Sequence, residues 1–455
     1  MRDFMNGTLA KVAAALLAVP VFVFVPAERG SAAGFAILEQ SSEGIGYAFA
    51  GAAAGYGDGS EIAFNPAAMA WIPDTHVSAN VDLIIPSAEF KNNGSNNPNL
   101  GGIALSGSNG PDGGELAAVP SFYVKSELFE GAHFGLGVHS PFGLSTNYDR
   151  EWVGRYTAVE SELRTVSITP AFSFEVTENF AIGGALNVLY TEATLSNAID
   201  FGTIGFGQLG AAQATALGLA PQQNDGFVEV KGDDWSAGFT LGGSYRYGEN
   251  SKIGLAWKSK IDTDLRGTAD FIVPTAAAPL TGTGLFTDTG ATAGVTLPES
   301  IALSWIHNFS EEWGVLFETQ WTNWDRFEEL RVQFDGVQPD AVTPEDWDDV
   351  WRFSVAMRYS PAPDWTFSAG WTFDEEPIPG ANRRTPRIPG NDRNWLALGM
   401  KYQLAEQVNL RATYAHLFVK DGDVIASDSV GNNLVGSFDN SVDLVGLGID
   451  YQFNS

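Results

Sequence analysis

The sequence contains no cysteine among its 455 residues. This absence excludes disulfides, thiolate metal sites and cysteine nucleophiles. Basic residues are also few, since 25 lysines and arginines face 55 acidic residues and give a formal net charge of −30. Phosphate binding requires a basic surface, so we expect no nucleic-acid partner.

Long apolar runs are almost absent. The one clear run, Val12–Val25, follows Arg2 and Lys11 and precedes the small residues Ser31–Ala33. This order predicts a secretory signal peptide over residues 1–33. The alternative is a membrane-anchor helix, but the run is shorter than the roughly 20 residues that a spanning helix needs. Pro20 interrupts it as well. The mean hydropathy of −0.05 excludes a helical membrane protein.

Aromatic residues and glycine are plentiful, with 30 Phe, 13 Trp and 51 Gly. Disordered chains lack aromatics, so the sequence predicts a folded protein. From about His76 onward, apolar side chains alternate with small or polar ones, as in residues 445–453 and 396–404. A period of two predicts strands with one apolar face and one polar face.

Short polar turns and long connections separate these strands. The six short turns lie near Glu127–Gly131, Glu175–Asn179, Tyr247–Ser251, Asn308–Glu312, Ser360–Asp364 and Ala405–Gln407. The long connections include Lys91–Gly114, Ser196–Asp225 and Glu375–Asp392. Short turns at one end and long loops at the other are typical of outer-membrane barrels. We therefore predict an all-β membrane protein, with about fourteen antiparallel strands in residues 76–455. A soluble β-sandwich or solenoid is the alternative.

Tryptophans and charged residues agree with a barrel. An interfacial girdle is predicted for six tryptophans near strand ends: Trp313, Trp321, Trp324, Trp351, Trp365 and Trp371. The alternation assigns a set of polar side chains to the lumen: Asp450, Gln452, Lys401, Gln403, Arg411, Glu318, Gln320, Arg352 and Arg358. So many strands enclose more space than side chains fill. A water-filled lumen of this size would leak unless another part of the chain closed it, so we expect a plug.

Residues 34–75 do not alternate and are rich in small residues. A compact segment of this kind before the first strand predicts a small N-terminal hatch domain inside the barrel. A flexible linker is the alternative. Phe35, Ile37, Tyr47 and Phe49 argue against a linker, because linkers contain few large apolar side chains.

Several motifs, in order, resemble the FadL-type family of outer-membrane transporters for long-chain fatty acids and aromatic hydrocarbons. The motifs are Gly34-Phe35, Ser41-Ser42-x-Gly44-x-Gly46-x-Ala48, Asn65-Pro66-Ala67, Ser140-Pro141-Phe142-Gly143-Leu144-Ser145-Thr146-x-Tyr148, Trp152-Val153-Gly154-Arg155-Tyr156, Asp374-x-x-Pro377-x-Pro379 and Arg387-x-Pro389. The likeness spans the whole chain after the signal segment. No single motif decides it; the order and spacing do.

The resemblance implies passive uptake of hydrophobic compounds across the outer membrane of a Gram-negative bacterium. Ligand would be caught by apolar extracellular loops, pass to a pocket at the hatch, and leave sideways through a gap at a kinked third strand. The hatch-side pocket residues implied are Gly34, Phe35, Ile37, Asn65, Pro66 and Ala67. The expected partners are fatty acids or hydrocarbons and the surrounding outer-membrane lipids and lipopolysaccharide, with the protein as a monomer.

Two apolar loop segments supply an extracellular groove in this scheme. Their candidate ligand contacts are Phe206, Leu209, Leu217, Phe271, Ile272, Leu285 and Phe286. Apolar clusters in surface loops are costly unless they pack together or bind something. The alternative is therefore that the two loops simply pack on each other.

The third strand, Gly131–His139, runs into residues that interrupt a ladder. Proline cannot donate to a neighbouring strand, and glycine favours a bend. The candidate lateral exit comprises Val138, Ser140, Pro141, Phe142 and Gly143. The alternative is an ordinary strand end that enters a loop.

A carboxylate ligand would need a cation, for which the lumen offers Arg352, Arg358, Arg411 and Lys401. The alternative is that these side chains pair with lumen acids such as Glu318 or Asp450. A hydrocarbon ligand would need no cation at all.

No enzymatic constellation is found. The five histidines show no metal-ligand spacing, and no Gly-x-Ser-x-Gly elbow or phosphate loop occurs. We predict no enzyme activity, no metal and no cofactor. The acidic run 340–349 lacks the spacing of a calcium loop and is interpreted as solvated surface; the alternative is a site for Ca²⁺ or Mg²⁺ that bridges lipopolysaccharide phosphates. A general diffusion pore, a structural barrel and an outer-membrane lipid hydrolase are the alternatives.

Overall fold

A computed structural model of the protein describes residues 34–453. The predicted signal peptide, residues 1–33, lies outside these described residues. Within residues 34–453, no helix is both long enough and apolar enough to cross a membrane.

Fourteen antiparallel strands form one closed barrel, and the prediction of this fold is confirmed. Several strands consist of two segments separated by a short irregularity. The bounds are β1 Thr75–Asn92, β2 Ala117–Phe129, β3 Ala132–His139 with Gly143–Asn147, β4 Glu160–Thr177, β5 Phe180–Asp200, β6 Asp225–Tyr247, β7 Ser251–Lys258 with Ile261–Ile272, β8 Thr289–Leu297 with Ser300–Asn308, β9 Trp313–Thr322 with Glu329–Phe334, β10 Ala341–Pro344 with Val350–Ala362, β11 Trp365–Asp374, β12 Arg393–Ala405, β13 Val408–Val419 with Gly422–Ser427, and β14 Asn433–Phe453.

The ends of the chain close the barrel. Strand β1 pairs with β14 from Thr75 opposite Phe453 to Asn92 opposite Gly436. All six predicted short turns join neighbouring strands at one end of the barrel, as between β2 and β3. The long connections lie at the other end. By the asymmetry typical of outer-membrane barrels, the long-loop end is extracellular and the short-turn end periplasmic.

The outer surface alternates in exposure along each strand. On β8, Ile301, Leu303 and Trp305 are exposed, whereas Ser304 between them is fully buried on the lumen side. A soluble protein does not expose so continuous an apolar surface, but lipid tails cover it in a membrane. Strand β6 has 23 residues, well above the 9–11 that cross a bilayer, so the wall extends beyond the membrane.

The hatch fills the lower lumen with short helices. They are α1 Ser42–Gly46, a 3-10 turn Ala52–Ala54, α2 Glu61–Phe64 and a 3-10 turn Pro66–Trp71. Ser41 caps α1 by accepting a hydrogen bond from the backbone N–H of Gly44 at 2.9 Å. Nearly all side chains of residues 34–70 are buried, so this segment is a packed part of the molecule.

Extracellular loops carry further helices, which are a 3-10 turn Pro98–Leu100, α3 Phe201–Leu209, α4 Ala211–Ala216 and a 3-10 turn Thr275–Thr281. One more 3-10 turn, Trp324–Arg326, lies in the break between the two segments of β9. The short strands Asn96–Asn97 and Ile103–Ala104 lie in the first long loop.

One of the six girdle predictions is wrong. Trp313, Trp351 and Trp371 are exposed on the outer surface, but Trp324 is 2% exposed and lies inside the molecule. The cause is the break in β9 after Thr322, where a 3-10 turn directs the indole inward instead of continuing the alternation. There the Trp324 ring contacts the ring of Phe35, the first aromatic residue of the hatch.

Candidate ligand-binding cavities

The start of the hatch is attached to the interruption of β3. The Ile37 N–H donates to the carbonyl of Pro141 at 2.9 Å, and the Gly143 N–H donates to the carbonyl of Phe35 at 2.9 Å. Ala36 and Phe142 form the bridge between these two bonds. Pro141 has no N–H of its own, so β3 cannot continue its ladder there and the hatch takes its place.

The same interruption leaves a gap in the wall. Strand β2 pairs with β3 only from Phe122 opposite Val138 to Phe129 opposite Ala132. In the described chain, residues 117–121 of β2 pair with β1 and with no residue of β3. Of the predicted exit residues, Val138 is the last ladder partner of β2, and Ser140, Pro141, Phe142 and Gly143 lie at the break. The strand interruption exists; its use as an exit stays a prediction.

Phe35 lies in a cage of aromatic rings. Its ring centroid is 4.7 Å from that of Trp324, 5.5 Å from Phe327 and 5.7 Å from Trp347. The first two contacts are edge-to-face, which the quadrupoles of aromatic rings favour. Gly34 beside it has a φ of +59°, and a Cβ there would stand 2.7 Å from the Trp347 ring. A larger residue would therefore push the hatch terminus out of the cage.

Above Phe35 lies an apolar space of about 800 Å³, which we call the upper cavity. Its apolar lining comes from the hatch, seven strands and two connections: Phe35, Leu144, Leu163, Ala193, Leu195, Val230, Leu265, Ala291, Ala293, Val295, Phe327, Leu330, Val332 and Ile388. The predominantly apolar lining is that of a site for a small hydrophobic molecule.

Four charged residues also line the upper cavity. Two of them form ion pairs with neighbouring side chains, and a third is a carboxyl that burial keeps protonated. Lys231 pairs with Glu229 at 2.7 Å, and Glu162 pairs with Arg164. Glu345 accepts a hydrogen bond from the indole N–H of Trp347 at 3.0 Å. Burial raises the pKa of the Glu345 carboxyl to about 8, so this group is mostly protonated at neutral pH.

The fourth, Arg387, has a guanidinium that contacts only neutral oxygens. Nη1 donates to the Ser161 hydroxyl at 2.8 Å and to the Glu160 carbonyl at 3.1 Å, and Nη2 donates to the Ser196 carbonyl at 3.4 Å. Within residues 34–453, Arg387 makes no ion pair. Burial lowers its pKa to about 10, which leaves it charged at neutral pH. The upper cavity therefore combines an oily lining with one uncompensated positive charge.

Beneath this level lies a second space of about 960 Å³, the lower cavity. Ala36, Ile37 and Leu38 of the hatch line it, as do Pro141 and Phe142 at the break in β3. Phe35 above and Phe142 below, with ring centroids 6.2 Å apart, stand between the two cavities. The hatch terminus thus touches both spaces and the gap in the wall.

Three of the four predicted carboxylate partners form ion pairs with acidic side chains of the protein, which was the alternative considered for them. Arg411 donates to both carboxylate oxygens of Asp450 at 2.6 and 2.7 Å. Arg352 donates to Glu318 at 2.6 Å. In the same way Lys401 pairs with Glu43 of the hatch at 3.1 Å.

Arg358, the last predicted cation, donates to the Glu311 carbonyl at the periplasmic end. None of these four residues lines the upper or the lower cavity. They stabilise the wall and the hatch, and no ligand contact is assigned to them by the geometry.

Asn65, Pro66 and Ala67 lie low in the hatch and are absent from the lining of both cavities. The Asn65 side chain caps the 3-10 turn by accepting from the Ala67 N–H at 3.1 Å, and it donates to the carbonyls of Ala53 and Gly243. Gly242 leaves room for it, because a Cβ there would stand 1.8 Å from the Asn65 oxygen. This motif positions the hatch against the wall, and a contact of its residues with ligand stays a prediction.

The two apolar loops of the predicted groove pack against each other. Phe201 and Phe286 meet edge-to-face at 4.8 Å, and Phe206 and Leu209 are half-buried in the same cluster. Phe271 contacts Phe286 at 6.2 Å. Leu285 is partly exposed, while Leu217 and Ile272 are exposed to 38% and 59%. A groove between these loops stays a prediction.

Sequence reasoning missed residues that face the upper cavity or surround Phe35. Arg387 belongs to a motif that carries the family resemblance, and a basic residue beside Pro389 in a long connection was its available signal. Glu345 and Trp347 belong to the acidic run that was interpreted as solvated surface, but both are 2% exposed. The available signal was that a tryptophan stands among the acidic residues of this run, because a large aromatic side chain in a loop favours burial of one side of the segment.

Comparisons with known proteins agree with the fold. Residues 23–453 match the family model described as outer membrane protein transport protein (OMPP1/FadL/TodX). The long-chain fatty acid transport protein of Escherichia coli K12 is 24% identical over 426 residues, covering 88% of this chain and 91% of that protein. A 47 kDa outer membrane protein of Pasteurella multocida is 27% identical, covering 94% of this chain and 96% of that protein.

Solved structures resemble the barrel and hatch together. A FadL homologue of Pseudomonas aeruginosa superposes with a TM-score of 0.84 at 24% identity, covering 93% of this chain and all of that one. The toluene transporter TodX of Pseudomonas putida has a TM-score of 0.65 at 16% identity, with 87% and 94% coverage. Together with the family match over almost the entire chain, the closed barrel and its hatch establish that this chain belongs to the OMPP1/FadL/TodX family of outer membrane transport proteins.

Proposed function

We propose that the protein takes up long-chain fatty acids passively across the outer membrane, with related hydrocarbons as a second substrate class. Relatives are named long-chain fatty acid transport proteins, and structural neighbours are named toluene transporters. The protein acts in this scheme as a monomer among outer-membrane lipids and lipopolysaccharide, and it carries out no chemical turnover.

The single observation that carries the proposal is Arg387 in the apolar upper cavity. An apolar tail gains free energy by leaving water, at about 25 cal/mol per Å² of buried surface. A carboxylate that meets the guanidinium gains a charge-assisted hydrogen bond in a space of low polarity. A long-chain fatty acid supplies both groups, whereas a neutral hydrocarbon supplies only the first.

The route continues past the hatch terminus. Phe35 is held by ring contacts and a few backbone hydrogen bonds, which an apolar ligand is able to replace with contacts of its own. Displacement of Phe35 joins the upper cavity to the lower one, and the lower one reaches the gap between β2 and β3. No energy source is needed, because the ligand moves from water into lipid.

Substitution of Arg387 distinguishes the binding of fatty acids from the binding of uncharged hydrophobic ligands. We expect Arg387→Met to weaken binding of a long-chain fatty acid about tenfold, since a hydrogen bond to a charged group contributes about 1.5–3 kcal/mol. Binding of the corresponding methyl ester and of toluene is expected to stay within about twofold of wild type. The measurement is equilibrium binding to the detergent-purified protein.

Arg383→Met is the matched control, because Arg383 lies on the same connection but is exposed and pairs with Asp346 at 2.7 Å. Equal loss of acid and ester binding in Arg387→Met would show that the arginine only supports the local fold. Failure of the wild-type protein to bind either ligand would refute uptake. A large steady ion conductance in planar bilayers would instead favour a general pore.

The lateral exit is tested separately from binding. Ser140→Trp places a large ring at the break in β3, where the wall is open towards residues 117–121 of β2. We expect uptake of radiolabelled fatty acid by whole cells to fall at least about tenfold, while binding to the purified protein is kept. Unchanged uptake would place the exit elsewhere.

A further inference from the structure

The lower cavity is mixed in character, unlike the upper one. Its apolar side is formed by Ile37 and Phe64 of the hatch, Phe142 of the break, Leu189 of β5 and Ile261 of β7. Its polar side is the lumen wall, with Ser167, Asn187, Ser259, Ser300, Gln320 and Thr322. A molecule with an apolar chain and one polar end fits such a space better than a hydrocarbon does.

One basic side chain faces this space. Lys258 at the end of the first segment of β7 lines the lower cavity, and its ammonium lies 5.2 Å from the centroid of the Phe64 ring. Within residues 34–453 the Lys258 side chain makes no hydrogen bond and no ion pair, so the ring contact is its closest described interaction. An ammonium in a mostly enclosed space is costly unless water or an anion solvates it.

The acid that also lines the cavity, Glu318, makes no direct hydrogen bond or ion pair with Lys258. Glu318 accepts from the Ser304 hydroxyl at 2.5 Å and from the backbone N–H of Ala53 in the hatch at 3.0 Å. Its other oxygen accepts from Arg352 at 2.6 Å. Its described hydrogen bonds therefore go to the wall and the hatch, and it forms an ion pair with Arg352.

The other titratable group at the cavity is not a competing cation. His139 bonds through Nε2 to the Thr169 hydroxyl at 3.1 Å and lies in the wall. Among the residues that line the lower cavity, Lys258 is the one lysine or arginine. An incoming carboxylate has this single charged partner available.

The geometry points to Lys258 as a second binding station, which holds the carboxylate of a fatty acid after it has passed Phe35 and before it leaves the barrel. This inference rests on the proposed function and deepens it. The acid end moves from Arg387 in the upper cavity to Lys258 in the lower one, and the tail lies along Ile37, Phe142 and Leu189 towards the gap. Each station replaces water around the carboxylate, so the charged end does not cross the lumen unpaired.

The test uses a long-chain fatty acid that carries a photoreactive diazirine close to its carboxylate. The full-length protein is reconstituted in liposomes, labelled by irradiation and mapped by peptide mass spectrometry. Wild type is expected to be labelled at the upper cavity and at lower-cavity segments such as residues 187–189 and 300–302. In Lys258→Met, the ratio of lower to upper labelling is expected to fall about tenfold.

Controls separate charge from shape. Lys258→Arg keeps the charge and is expected to keep the lower label. Lys260→Met removes an exposed lysine two positions along that pairs with Asp262, and it is expected to change nothing. The methyl ester of the same probe is expected to give a ratio that Lys258→Met does not change. Heat-modifiable mobility on gels confirms that each variant has folded.

The outcomes distinguish this inference from the uptake proposal. Wild-type labelling of the upper cavity with none in the lower cavity overturns the second station. An unchanged ratio in Lys258→Met, or the same fall with the ester, also overturns it. Absence of label at the upper cavity in wild type refutes the proposed function itself, and the second station falls with it.

Discussion

Two neighbouring parts of the hatch are held in the molecule by opposite kinds of interaction. Residues 34–38 contact aromatic rings and donate or accept a few backbone hydrogen bonds at the break in β3. Helix α1, only a few residues later, is held by buried ion pairs, with Glu43 between Lys401 and Arg411. An apolar ligand is able to replace ring contacts but offers nothing to a buried carboxylate. The difference indicates that residues 34–38 are displaced by a ligand, whereas helix α1 keeps its position in the lumen.

Hydroxyl and carboxylate bonds around α1 strengthen this contrast. Ser41 donates to Asp58 at 2.6 Å within the hatch, and Ser42 donates to Asp82 of β1 at 2.6 Å. Buried charges and their partners are costly to separate, because each unpaired group would lose its solvation. The anchored part thus keeps the lumen filled while the terminal residues move.

The largest expected effect comes from breaking the anchor. Arg411→Met leaves the buried carboxylates of Glu43 and Asp450 without their shared cation. We expect a loss of about 3–5 kcal/mol in the free energy that holds the hatch in place. The measurement is limited proteolysis of residues 34–74 together with ion conductance in planar bilayers.

Lys420→Met is the control for this prediction. Lys420 is 70% exposed and lies 3.9 Å from Asp392, and exposed pairs contribute about 0–1 kcal/mol. Equal protease resistance of Arg411→Met and wild type would contradict the anchoring role of this arginine.

The second prediction addresses the movable part. Phe35→Glu places a carboxylate among Trp324, Phe327 and Trp347, where it has no partner. We expect fatty acid uptake to fall at least about tenfold while the barrel stays folded, because only the terminus leaves its cage. Val337→Glu, at a side chain 64% exposed, is the control and should leave uptake unchanged. Normal uptake by Phe35→Glu would refute the role of the hatch terminus in the pocket.

A pH profile gives the third and smaller effect. Burial holds the pKa of Glu345 at about 8, so raising the pH from 7 to 9 ionises this carboxyl in the upper cavity. The new negative charge repels a bound carboxylate and competes for Arg387, whose own pKa of about 10 keeps it charged. Fatty acid affinity should therefore fall about threefold to tenfold over this range. Glu345→Gln should give a clearly shallower profile, and an equal fall in that variant would assign the effect to another group.

The smallest effect is expected at the rim of the anchor. Lys401 pairs with Glu43 but is about one quarter exposed, and Glu43 keeps Arg411 when Lys401 is removed. Lys401→Met should lower the stability of the protein by less than about 1 kcal/mol in thermal unfolding. A loss as large as that of Arg411→Met would show that the two cations act as one unit in holding Glu43.

The barrel was accessible to sequence reasoning because its signals are local. Alternation along a strand and polar residues at a turn need no knowledge of distant residues, and both survive in the predicted turns and the fourteen strands. Trp324 broke the rule because β9 itself breaks there. The alternation placed the charged side chains correctly on the lumen face. Whether each of them pairs with another side chain or faces a cavity depends on residues of other strands, which the local pattern does not show.

The sequence by itself determined the closed cylinder, its orientation of apolar and polar faces, the filled lumen and the weak point in β3. Tertiary structure alone decided that Arg411, Arg352 and Lys401 stabilise the hatch and wall, and that Arg387 and Lys258 line the two cavities. The physical reason is that strand periodicity fixes which side a residue faces. Electrostatic pairing and cavity shape, in contrast, depend on which residues from other strands meet it there.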